Sequence, residues 1–177
     1  MKEFPLWMFF VIGAFLSWGC YVPVLHEGQT AIGGGNPKLG ALRAFLCVGL
    51  AYFATAVVVP LIVMYFTGEP MAMSGRGFSF AFAGGVLGAA GALCIIFALK
   101  SGGSPMYVPP LVFAGAPIVN AIVSIIWHPP ELSPGPRFWL GIVMAGCGAG
   151  LVLYEKANLD VQSKLIKQQL VAEKKGP

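Results

Sequence analysis

Five long apolar segments, separated by short polar connections, dominate this sequence. They run from Leu6 to His26, Leu39 to Phe66, Phe78 to Leu99, Met106 to Trp127 and Phe138 to Tyr154. A helix crossing the roughly 30 Å hydrocarbon core of a bilayer needs about 20 apolar residues, because each residue advances it about 1.5 Å. All five segments meet or nearly meet that length, so the expected fold is an all-α membrane protein with five transmembrane helices. An odd number of spans puts the two termini on opposite sides of the membrane. A pathway that needs two such sets is not completed by the one set in these 177 residues.

Composition excludes the soluble alternatives. Hydrophobic residues make up 57% of the chain and charged residues only 10%, against about 25% charged in soluble domains. The expected organisation is one integral membrane domain, residues 1–155, followed by a basic amphipathic tail, residues 156–177. No room remains for a soluble catalytic domain. Lys2 and the apolar run before Cys20 have the outline of a cleaved signal. However, Trp18 stands where a small residue is wanted and Ser17 replaces the usual aliphatic one, so the segment is read as a retained helix. Cys20, Cys47, Cys94 and Cys147 all lie in apolar segments without metal or disulfide spacing, and are read as small buried hydrophobes.

The distribution of charge is more telling than its sum of +4. With five spans, Lys2, Arg76 and Arg137 share one face of the membrane. Lys38, Arg43, Lys100, Lys156, Lys164, Lys167, Lys174 and Lys175 share the other, eight basic residues against three. The side richer in lysine and arginine stays in the cytosol. This predicts an outside N-terminus and a cytosolic C-terminus, in a bacterial plasma membrane. Beyond Tyr154, the residues Leu159, Ile166 and Leu170, with Val161 and Leu165 beside them, recur at helical spacing among polar residues. The tail is therefore expected to be an amphipathic helix that lies on the anionic leaflet or docks a partner.

Several local features bear on packing and on a pathway. Pro23 and Pro60 each remove a backbone donor inside an apolar segment, so both helices are expected to bend. Residues Glu27 to Gly40 form a glycine-rich connection. It lacks the GxxxxGK[ST] spacing and preceding strand of a phosphate-binding loop. Arg43 is shallow enough to snorkel to the headgroups, or to attract an anionic solute at a pathway mouth. Gly84 and Gly88 in the third segment, and Gly146 and Gly150 in the fifth, form GxxxG faces suited to close helix packing or dimerisation. Asn120 lies near the middle of the fourth segment. A polar side chain at that depth either bonds a neighbouring helix or lines a polar cavity.

Catalytic chemistry has little to work with. His26 and His128 lie at helix ends, and the acidic residues Glu3, Glu27, Glu69, Glu131, Glu155, Asp160 and Glu173 lie in loops, at helix ends or in the tail. No nucleophile–base pair, paired carboxylates or metal-ligand cluster is recognisable. The expectation is therefore a non-enzyme without metal or cofactor, and without nucleic acid as a partner. A proton exchanger relying on a midplane carboxylate is disfavoured as well.

The order of short motifs resembles one EamA-type, five-helix half of the drug/metabolite transporter superfamily. Leu16-Ser17-Trp18-Gly19 resembles the tryptophan–glycine signature of the first helix, and Asn36-Pro37 through Arg43 the proline and arginine opening the second. Ala98-Leu99-Lys100 through Pro105 resembles the turn after the third. Ala116-Pro117-Ile118-Val119 resembles the central proline of the fourth, and Glu131-Leu132-Ser133 its exit, with Gly141 and Gly146 following in the fifth. The resemblance implies a bundle whose first four helices surround a solute cavity near Trp18, Tyr21 and Asn120, with Arg43 at its mouth. Members of that superfamily typically carry ten helices as two inverted halves, with the solute between them. The expected function is a transporter subunit for a small solute or metabolite, acting as a homodimer or as a heterodimer with an inverted five-helix half, and in contact with membrane lipid. The alternative is a non-transporting scaffold or assembly subunit of a larger complex.

Overall fold

The computed structural model of the protein describes residues 5–174, so Lys2, Glu3 and Lys175 lie outside the described residues. Among those residues all regular structure is helical, and five helices are long and apolar enough to cross a membrane. They are α1 (Leu6–Ile32), α2 (Pro37–Thr67), α3 (Gly75–Lys100), α4 (Val108–Trp127) and α5 (Pro136–Lys174). The chain forms two compact units, Met1–Pro105 with α1 to α3 and Met106–Pro177 with α4 and α5.

In the first unit, α1 continues past the polar residues that end its apolar run. The Thr30 hydroxyl donates to the His26 carbonyl at 2.9 Å within this extension. The expected Glu27–Gly40 connection shrinks to a turn at Gly33-Gly34-Gly35-Asn36. Gly34 and Gly35 have φ of 63° and 90°, a left-handed backbone that costs glycine little. Asn36 then caps α2, accepting from the Lys38 N–H at 3.0 Å. Pro37 follows in the first turn, where its missing donor would be unpaired anyway.

This turn brings α1 and α2 together backbone to backbone. A Cβ on Gly33 would overlap the Asn36 carbonyl, and one on Gly40 would overlap the Gln29 carbonyl. Around this contact a three-helix junction forms. Val22, Leu25 and Gln29 of α1, Gly40, Ala41 and Ala44 of α2, and Ala92, Ile95, Ile96 and Leu99 of α3 are all buried. Leu25, Ala41, Ala44 and Ile96 make one cluster, with Tyr21, Ile32, Phe45 and Val48 packed on it. Small residues let the backbones approach, which matters where lipid is as apolar as the side chains and close contact is what associates helices.

Away from the junction the same helices are bare. From Leu6 to Cys20, and from Gly49 of α2 to Gly91 of α3, every residue except Met8 and Met64 is exposed. Pro60 neither breaks nor ends α2, because a π-helical turn at Ala54–Val58 precedes it. There the Val59 N–H bonds the Ala54 carbonyl five residues back. This widening accommodates a proline that cannot donate to residue 56.

The second unit pairs α4 with α5. The one close approach at a GxxxG glycine occurs here: a Cβ on Gly146 would sit 3.6 Å from Ile118 Cδ1 of α4, an ordinary contact. The tail is helical as expected, but it directly continues the fifth span. A flat tail on the leaflet needs a break after Tyr154, and α5 runs unbroken for 39 residues, roughly 59 Å at 1.5 Å each. No glycine or proline stands between Leu151 and Lys174 to interrupt it. Lys156 and Asp160, one turn apart on this extension, form an ion pair of 2.6 Å.

Candidate functional site

Helical spacing places Ser17, Cys20, Tyr21, Val24, Leu25 and Gly28 along one face of α1. Ala44, Cys47, Val48 and Ala51 do the same on α2. Between these faces lies a groove of about 450 Å³, within the range of small-molecule sites. No charged side chain lines it. Beside it, Ser17, Trp18, Tyr21 and Tyr52 enclose a second recess of about 200 Å³. The Trp18 and Tyr21 rings lie 5.7 Å apart at 55°, an inclined arrangement favourable to aromatic pairs. Tyr21 belongs to both spaces.

Four polar atoms of α1 are buried without a hydrogen-bond partner among the described residues: the hydroxyl of the groove residue Tyr21, His26 Nδ1, and both amide atoms of Gln29. Gln29 is 0% exposed, in the middle of the three-helix junction. An unsatisfied buried group costs about 1–3 kcal/mol, so these atoms are an expensive feature of an otherwise apolar packing. Leu25 connects the two regions, since it lines the groove and belongs to the junction cluster.

The residues expected from sequence divide clearly. Trp18 and Tyr21 come together in the recess beside the groove. Arg43 is exposed on α2 and its guanidinium donates to the Leu39 carbonyl at 3.1 Å, outside the groove lining. This arrangement suits an interfacial anchor. Asn120 is exposed on α4, in the second unit. Gly84, Gly88 and Gly150 have open space where a Cβ would stand, and only Gly146 of the four meets a neighbouring helix. Sequence reasoning missed Gln29, Tyr52 and the groove itself. Gln29 follows Val22 and Leu25 on one helix face, so extending the periodicity of α1 through the polar residues would have found it.

Among the described residues, no three His, Cys, Asp or Glu side chains gather as metal ligands would. No protein-family model, curated protein or solved structure matches the chain.

Proposed function

We infer that the chain is a subunit of a membrane transporter for a small solute or metabolite. The groove between α1 and α2 carries this reading: it is solute-sized, it lies within two membrane-spanning helices, and only those two helices line it. A second set of helices would be needed to enclose a solute there. The order of motifs resembling an EamA-type half adds support, as do the apolar faces that α2 and α3 leave exposed. On this reading a second copy, or a separate inverted five-helix chain, completes the pathway, and the solute crosses by alternating access between the two bundles.

The orientation follows from loop charge, with the N-terminus outside and the C-terminus in the cytosol of a bacterial cell. Cysteines introduced singly at Gly77 and Lys164, in a background without the native thiols, are expected to react with an impermeant maleimide from opposite sides. Reaction of both from both sides would remove the fixed orientation and favour an antiparallel homodimer. Transport itself is tested by flux of pooled radiolabelled metabolites into proteoliposomes containing the chain alone or with a candidate second half. No flux in either preparation would overturn it.

One observation favours the scaffold alternative. The α5 extension carries Lys164 and Lys167 together with exposed Leu159, Ile166 and Leu170 beyond the apolar span. A stoichiometric non-transporter partner that co-purifies, and is lost when residues after Glu155 are deleted, would support that reading.

A further inference from the structure

The groove and the orphaned polar atoms beside it restrict what can bind. We propose that Tyr21 and Gln29 form the polar end of a binding site for a neutral solute with a flat, apolar body and a carboxamide-like group. The proposal rests on the groove's role in the transport reading, but concerns binding and is tested without flux.

Charge is the first criterion. None of the groove's lining residues is an Asp, Glu, Lys, Arg or His, and Arg43 is engaged on its own helix outside it. An anion or cation entering would lose hydration with no counter-charge to replace it, a cost far above that for a neutral polar group. Shape is the second. Trp18, Tyr21 and Tyr52 line the adjoining recess, and aromatic rings suit a planar apolar body.

The polar group is specified by what is left unpaired. Gln29 offers a carbonyl acceptor and two N–H donors, and the Tyr21 hydroxyl can donate and accept. A carboxamide is complementary to Gln29, because it returns one acceptor and two donors in the same plane. Pairing would satisfy atoms that are otherwise buried without partners. Leu25, one turn before Gln29 on the same face of α1, lines the groove and belongs to the junction cluster. The proposed site forms when that side chain turns aside and the Gln29 amide reaches the groove.

The test uses the full chain in zwitterionic lipid vesicles with Trp7, Trp127 and Trp139 changed to Phe, so that Trp18 is the only indole. Its emission is titrated with benzamide, benzoate and benzamidine, which share a shape and are neutral, anionic and cationic at pH 7, and with toluene. Benzamide is expected to saturate at a concentration about tenfold lower than either charged probe. Gln29→Leu should abolish benzamide's advantage over toluene, about tenfold, while leaving toluene within about twofold. Tyr21→Phe, which keeps the ring, should cost benzamide about threefold. If Gln29→Leu does not fold, the probe series and Tyr21→Phe still decide. Equal binding of the three benzene derivatives, an undiminished preference in Gln29→Leu, or toluene matching benzamide in the unsubstituted groove would each overturn the proposal. So would the absence of saturable binding by any probe. Amide-selective binding without flux would leave this site standing and remove the transport reading; flux without amide selectivity would do the reverse.

Discussion

The two ends of the α1–α3 unit are built from similarly apolar helices but are held together very differently. At the Gly33–Gly40 end, three helices bury small residues against one another and backbones come into contact. Toward the other end the same helices present Phe9, Phe10, Leu50, Phe53, Phe82 and Leu87 outward with little between them. The difference lies in side-chain size at helical spacing, not in hydropathy. Gly40, Ala41, Ala44 and Ala92 create room for a neighbouring backbone, whereas large side chains on the bare half fit lipid tails or another bundle equally well. In this unit, close packing is concentrated at one end and an exposed apolar surface is left at the other.

Substitutions can break or sharpen that contrast. The largest effect is expected from Gly40→Leu, whose side chain would have to occupy the space of the Gln29 carbonyl. Loss of more than about 3 kcal/mol is anticipated, measured as collapse of the monodisperse peak in detergent, whereas Gly88→Leu should change stability by less than about 0.5 kcal/mol. Next, Ile96→Ala should cost about 2–4 kcal/mol through the cavity it leaves, and Leu87→Ala on the same helix close to none. Thermal unfolding of the two variants side by side tests this, and equal losses would erase the distinction between the halves. Asn36→Ala removes the side-chain acceptor that opens α2 and should cost about 1 kcal/mol, read as a lower unfolding temperature. The smallest effect belongs to Lys156→Ala. Its exposed one-turn pair with Asp160 should contribute about 0.3–0.5 kcal/mol, fading in high salt.

Much of this architecture is legible in the residues. Apolar run length gives the five helices, and Asn36-Pro37 marks the start of α2 through a cap whose chemistry is local. Helix ends are harder to place, because polar residues end an apolar run without ending the helix. Glu27 to Ile32 remain helical because nothing in them prevents it, and Gln29 is buried at the three-helix junction, which only tertiary packing can reveal. The π turn before Pro60 was likewise hidden, since a missing donor signals disturbance without saying whether the helix bends or widens. For the site, Trp18 and Tyr21 could be named from their motif, while Tyr52 joins them only through the pairing of α1 with α2. Asn120 and Arg43 show the opposite limit: residue chemistry suggested a pathway role, yet Arg43 turns to its own helix and Asn120 is exposed in the second unit.

The unbroken α5 also has a mechanical consequence. With roughly 30 Å of its roughly 59 Å needed to cross hydrocarbon, nearly half extends past the hydrocarbon core as a stiff lever. A tilt of about 10° at the membrane would carry its tip about 5 Å sideways, amplifying a rearrangement too small to see at the pivot. A spin label or fluorophore near Gln168 would therefore report motion of the embedded segment at a distance, without disturbing the residues that produce it.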